Sequence, residues 1–274
     1  MQNFAVRVTG LYVQQKNVIR IENLLRPFSA YNVPITSTDP GPDGELGTSD
    51  DGGAFTYYEF PESLAGAQNE RYFTITDPNV NQTFKSIELS GSKRLANRWQ
   101  MMASYSATKK DVPVTTGLAP RDFGDGFRTI HEVGFYTPND NINRADRTWE
   151  WDAKFSGSYL LPADVLVSAN FHHISGDVYA RTVQFRGGVT IPSIRLNVEP
   201  IGSIRSPNIN NLTFRVEKDF RLRTAQKLAV RLDIYNALNA NTATRIQPNS
   251  GETFLGTRDI MFPRLAEISA SYTF

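Results

Sequence analysis

Cysteine is absent from all 274 residues, which excludes disulfide staples, thiolate metal sites and thiol nucleophiles. No run approaches the ~18 consecutive apolar residues of a membrane-spanning helix. That shortage leaves a β-barrel open, because a barrel strand needs an apolar residue only at every second position. Neither charge sign is in excess. The 29 Lys and Arg against 28 Asp and Glu leave a formal net charge of +1, so no nucleic-acid footprint is expected. No glycine-rich phosphate loop, dinucleotide fingerprint or G-x-S-x-G nucleophile elbow occurs. Histidine is scarce. His172-His173 points to opposite faces if it lies on a strand, and His131-Glu132 has no partner at a recognisable spacing, so neither predicts a metal site. The N-terminal Met1-Gln-Asn-Phe-Ala-Val-Arg-Val already alternates, with no basic stretch leading into an apolar run, so no leader peptide is expected.

What is present is alternation. In Arg264–Phe274, Ala266, Ile268, Ala270, Tyr272 and Phe274 share one face, while Leu265, Glu267, Ser269, Ser271 and Thr273 share the other. Seven further stretches show period two: 4–13, 84–95, 98–109, 147–161, 165–176, 209–222 and 227–238. Shorter strands are expected at 54–59 and 70–76, with another near 189–198. The polar faces carry both charge signs in rows, as in Arg215, Glu217, Asp219 and Arg221 beside Arg231 and Asp233. Such rows suit ion pairs across neighbouring strands in a wet interior rather than catalytic carboxylates.

The connections alternate between long and short. The short ones are Ala96-Asn97, Pro162-Ala163-Asp164 and Thr224-Ala225-Gln226; the long ones are rich in Pro, Gly, Asn and Asp. An up-and-down membrane barrel sorts its connections this way, with minimal turns on one side and elaborated loops on the other. The expected fold is therefore all-β, an antiparallel up-and-down transmembrane β-barrel segment of about eight long strands with long extracellular loops. A self-contained eight-stranded barrel and a soluble calcium-binding β-sandwich are the alternatives. Direct pairing of 4–13 with 266–274 distinguishes the closed barrel from an arc.

Three sets of residues are singled out. Asp39, Asp43, Glu45 and Asp50 lie in a Pro/Gly-rich loop, with Gly44 at the sixth position of an EF-type spacing that starts at Asp39; oxygen ligands on such a turn suit Ca2+. Gly41 at the third position offers no ligand, and an acidic solvated turn has the same composition. Trp99, Trp149, Trp151, Tyr12, Tyr272 and Phe274 sit near strand ends on the oily face, as interfacial girdle residues do. Trp99, Tyr272 and Phe274 fall on the short-turn side, and Trp149 and Trp151 fall opposite. The loop aromatics Tyr31, Tyr57, Tyr58, Tyr72, Phe135 and Tyr136 form either a recognition surface or the packing of the loops.

Several stretches resemble one family. Asp233-Ile-Tyr-Asn-Ala-Leu-Asn-Ala-Asn241 is similar to the D-x-Φ-N-x-Φ-N ending of the penultimate strand in TonB-dependent outer-membrane receptors. Pro263–Phe274 resembles their final strand, and Asn208–Leu222 the strand before these. Asp39–Gly52 and Arg26–Tyr31 resemble loop segments of the Oar-like subgroup. The resemblance implies the C-terminal portion of an outer-membrane barrel spanning 1–274, without the plug domain, the TonB-contacting box or the N-terminal strands. It implies a bacterial outer-membrane location, contact with membrane lipid, and a recognition role for the loops in uptake of a large nutrient. Tyr272 and Phe274 would then be read by the outer-membrane assembly machinery. No enzymatic activity and no nucleic-acid partner are expected.

Overall fold

The computed structural model describes residues 3–77, 81–113, 132–135, 137–223 and 226–274. Among them there is no α-helix, and no helix long and apolar enough to cross a membrane. The strands, in chain order, begin with β1 (Phe4–Gln15), β2 (Val18–Asn23), β3 (Val33–Thr38), β4 (Ala54–Glu59) and β5 (Tyr72–Asp77). Next come β6 (Gln82–Ala96), β7 (Trp99–Asp111), β8 (Glu132–Phe135), β9 (Trp149–Leu161) and β10 (Val165–Ile174). They continue with β11 (Val178–Tyr179), β12 (Thr182–Arg186), β13 (Ser193–Asn197), β14 (Ile204–Arg205) and β15 (Ile209–Arg223). The last are β16 (Gln226–Tyr235), β17 (Ala243–Ile246), β18 (Thr257–Ile260) and β19 (Leu265–Thr273).

The eight long strands expected from alternation form one antiparallel sheet in the order β1-β6-β7-β9-β10-β15-β16-β19. Its order is the chain order once the loop strands are set aside, so the sheet is an up-and-down meander. β1 and β19 lie at opposite edges and do not pair, so the sheet is open. The tight turns have local causes. Asn97 and Arg98 take φ of 54° and 67°, the conformation of a two-residue hairpin loop matched to strand twist. Ala163 and Asp164 take φ of 63° and 57° between β9 and β10. β16 ends earlier than its alternation suggests, at Tyr235, because Asn236 turns into the left-handed region at φ 46°. Thr224 and Ala225 of the third turn lie outside the described residues.

The four long connections are not the irregular segments that their composition suggests. They hold eleven short strands: the three-stranded sheet β5-β2-β8 and the pairs β3-β4, β12-β13, β11-β14 and β17-β18. All of these pairings are antiparallel except β2 with β8. The apolar core is here, not on the large sheet. Tyr57 of β4, Val183 and Phe185 of β12, and Leu196 of β13 are buried together, with Ile35, Phe55, Ile142, Ile194 and Val198 packed against them. Phe55 stacks on Phe185 with ring centroids 5.0 Å apart, and Tyr57 meets the same ring at 5.6 Å. Two hairpins from different connections thus face each other as a small sandwich, each burying its alternate side chains.

Polar pins join all four connections. Asn139 is 2% exposed. Its side-chain amide donates to the Tyr58 carbonyl and its oxygen accepts from the Tyr58 N–H, both at 2.8 Å, so it imitates a strand neighbour. Glu59, also buried, accepts from the backbone N–H groups of Val189 and Ile191 at 3.1 and 2.7 Å. Asn143 and Asn197 exchange side chain-to-carbonyl bonds at 3.0 and 3.2 Å. The Gly251 N–H donates to the Pro42 carbonyl at 2.9 Å, bringing in the last connection.

Leu196 is 1% exposed. Leu196→Ala is expected to lower stability by about 2–5 kcal/mol. Met102→Ala, on an exposed stretch of the sheet, should stay within about 0.5 kcal/mol. Urea unfolding followed by near-ultraviolet circular dichroism measures both.

Candidate functional site

The large sheet has two unlike faces, and the register keeps them separate across every strand. On one face, Val8 lies opposite Leu89, Leu89 opposite Tyr105, and Phe155 opposite Phe171. Val216 lies opposite Leu232, and Leu232 opposite Ile268. Many side chains of this face are uncovered: Val8 is 66% exposed, Ile268 77% and Phe274 91%, while Phe171 and Val216 are half-buried. Apolar side chains exposed together on one sheet face form the kind of patch found at contact surfaces.

The other face is a field of paired polar groups. Arg215 grips Asp233 with two bonds of 2.6 and 3.1 Å, directly across from it in the register. Arg231 bonds Glu217 at 2.7 Å and the Ser271 hydroxyl at 3.1 Å. Lys227 reaches diagonally to Asp219 at 2.7 Å. Lys110 sits between Glu150 and Asp146, and Thr108 donates to Ser86 at 2.9 Å. The expected cross-strand ion pairs are therefore present. A cleft of about 300 Å3 opens on this face, lined by Ser168, Asn170, Thr213, Arg215, Asp233 and Tyr235.

The Asp233-Ile-Tyr-Asn-Ala-Leu-Asn239 stretch has a physical reading residue by residue. Asp233 is 4% exposed and holds Arg215. Asn236 is 5% exposed; its amide donates to the carbonyls of Ala240 and Phe262 at 2.9 and 2.7 Å, and its oxygen accepts from the Ala240 N–H. The Asn239 oxygen accepts from the Arg264 N–H at 3.1 Å. The two asparagines thereby fix both ends of the connection leading into β19.

Trp99, Tyr272 and Phe274 lie at one end of the oily face and Trp149 and Trp151 at the other, with Tyr105, Phe155 and Phe171 between. Trp99 lies opposite Tyr159 at the turn side. The Lys93 ammonium sits 4.0 Å from the Trp99 ring centroid and donates to the carbonyls of Ala96 and Trp99 at 2.7 and 3.0 Å. Tyr272 and Phe274 lie together at the same side, with ring centroids 6.1 Å apart. Trp149 and Trp151 begin β9 at the loop side, where the Arg205 guanidinium lies 5.0 Å from the Trp151 ring. The two histidines separate as their adjacency on a strand requires. His172 Nε2 is 2.6 Å from the Asp152 carboxylate on the polar face. His173 Nε2 accepts from Trp151 Nε1 at 3.2 Å on the oily face, which leaves its Nδ1 to donate to Asn210 at 2.7 Å. His131 lies outside the described residues.

The acidic loop does not assemble the calcium site that its spacing suggests. Gly44 does make the sharp turn, at φ 77°. The carboxylates of Asp39, Asp43 and Asp50, however, have partners within the protein. Asp39 faces Arg181, with contacts of 2.8 and 2.5 Å. Asp43 accepts from the Glu45 N–H at 2.9 Å, and Asp50 from the Thr48 hydroxyl at 2.5 Å and the Asp43 N–H at 3.2 Å. Glu45 supplies its backbone N–H and carbonyl to this network. Among the described residues no group of three or more His, Asp or Glu side chains could hold a metal ion. Acidic side chains in a Gly-rich turn satisfy their own backbone, and one of them answers a buried cation instead.

That cation is the feature sequence reading misses. Arg181 and Asp39 are 5% and 8% exposed. Arg181 also bonds Glu199 at 2.7 Å and the Ser250 hydroxyl at 3.0 Å, so one guanidinium ties three of the connections together. Among the loop aromatics, Tyr57 is core, and Tyr31 packs edge-on against Phe60 at 5.4 Å beneath the Arg26 guanidinium. Tyr58 and Tyr72 are partly exposed. Tyr136 and the Phe135 side chain lie outside the described residues. Of the described loop aromatics, Tyr57 and Tyr31 thus pack the loop body, while Tyr58 and Tyr72 face outward.

The Arg181 hydrogen bonds hold the Asp39 carboxyl below its usual range, against the opposing effect of burial. A depressed carboxyl contributes stability at neutral pH that is lost as pH falls through its folded value, below 3.8. Asp39→Asn is expected to cost about 3 kcal/mol at neutral pH, the low end for a broken buried pair, since Glu199 remains. The variant should also lose less stability than the parent on acidification; urea titrations across that range give both quantities. No known protein family matches the chain, and no curated protein or solved structure is significantly similar to it.

Proposed function

We propose that this chain is the C-terminal barrel segment of a TonB-dependent type of outer-membrane receptor, a component of a transporter rather than an enzyme. The observation that carries it is the sheet: an eight-stranded meander with one apolar face left exposed or half-buried and ion pairs along the other. In this reading the apolar face meets lipid and the polar face lines a wet interior. The loop body held by Arg181, Asn139 and Glu59 stands outside as the recognition surface. The unpaired β1 and β19 would join further strands of a larger barrel, which supports an arc over a self-contained eight-stranded barrel. The cleft beside Arg215 and Asp233 would face that interior, available to a plug domain or to passing solute.

A charge on the outward face separates a lipid surface from a watery one. Leu89 is 51% exposed in the middle of β6. Leu89→Arg is expected to destabilise the chain refolded in phospholipid bilayers by about 2–4 kcal/mol. A surface in water would register no more than about 0.5 kcal/mol. Urea unfolding from vesicles reads the difference. A stability unchanged by the arginine, with the chain monodisperse without detergent, would overturn the membrane assignment.

A further inference from the structure

The register places two like charges face to face on the oily side of the sheet. Lys85 of β6 lies directly opposite Lys109 of β7. Tyr12 lies opposite Lys85 on the outer side, and Trp149 opposite Lys109 on the inner side. The row Tyr12, Lys85, Lys109, Trp149 thus crosses four adjacent strands at the loop-side end of the sheet. Directly opposed like charges destabilise a strand pair unless something neutralises them.

The cations at the other end are treated differently. On the turn side, Lys93 is 5% exposed and spends its ammonium on turn carbonyls and the Trp99 ring. On the loop side, Lys109 donates to the Arg147 carbonyl and lies 5.7 Å from the Trp149 ring. Lys85 is exposed and has no partner among the described residues. The carboxylate on this stretch, Asp111, is already engaged by Arg147 at 3.2 Å. Among the described residues the row therefore carries uncompensated positive charge, flanked by two aromatic groups able to donate hydrogen bonds.

We infer that Lys85 and Lys109 hold the phosphate of an anionic membrane lipid at the loop-side rim, between Tyr12 and Trp149. A phosphate oxygen set between two ammonium groups removes their repulsion, and its acyl chains run down the apolar surface made by Val8, Leu89 and Tyr105. The aromatic flanks suit the headgroup depth, where one end of a ring is apolar and the other wet. This site rests on the membrane reading above, since only an inserted sheet presents its rim to headgroups.

The test uses the full chain carrying Trp99→Phe, so that the rim tryptophans Trp149 and Trp151 report alone. It is refolded in phosphatidylcholine vesicles containing equal fractions of either brominated-chain phosphatidic acid or brominated-chain phosphatidylcholine. Tryptophan quenching should favour phosphatidic acid, with the preference falling about fivefold for each of Lys85→Gln and Lys109→Gln and surviving in Lys85→Arg. Equal quenching by both lipids, or a preference untouched by the double glutamine variant, would overturn the site while leaving the membrane reading intact. Quenching by neither lipid would overturn the membrane reading and the site with it. A preference abolished by excess inorganic phosphate would overturn the assignment to a lipid.

Discussion

A side chain on a strand points to one face or the other, and a slip of one residue reverses the whole set. Eight strands of this chain share one parity in their pairings from β1 to β19, apart from one-residue shifts beside two of the turns, between Lys93 and Ala96 and between Arg221 and Arg223. The separation of an oily face from an ion-paired one depends on it, as do the positions of the aromatics and the direct opposition of Arg215 to Asp233 and of Lys85 to Lys109. The turn at Ala163-Asp164 joins β9 and β10 without a register shift, whereas the Asn97-Arg98 turn is followed by a one-residue shift between Lys93 and Ala96 before β6 and β7 take their common register.

The large sheet has no apolar core of its own among the described residues. Its polar face is filled by ion pairs and its apolar face is bare, so neither side is driven together by water. The dry core is built by the connections, where β3-β4 packs on β12-β13 around Tyr57, Phe185 and Leu196. A soluble sheet protein places its core against the sheet; here the core sits among the connections, of which the first two also share the β2-β8 pairing. Long connections that are internally packed and mutually pinned can hold a defined surface, which a set of separate flexible loops would not.

Buried polar groups distribute the cohesion of that body. Arg181, Asn139 and Glu59 each bridge different connections, and each is satisfied by specific partners. Removing one member leaves a buried charge or amide without its partner, so the cost is larger than the bond itself. The acidic turn takes part in this network through Asp39, while Asp43 and Asp50 accept from donors of the turn itself.

Period two by itself determined the eight long strands, the membership of their two faces, their order as a meander and the ends at which Trp99, Trp149, Trp151, Tyr272 and Phe274 fall. These are local properties: alternation and turn residues are written within a few positions of each other. The expected strand ends agree with the observed ones to within three residues, and the largest departure is at β16, where Asn236 leaves the strand to pin Ala240 and Phe262. Only the tertiary structure decided that the Pro- and Gly-rich connections form the core, that Asp39 answers Arg181 across 142 positions of chain, and that Lys85 faces Lys109. Those contacts join residues whose separation in sequence carries no periodic signal, so they become visible only when the strands have taken their register and brought the loops to one end.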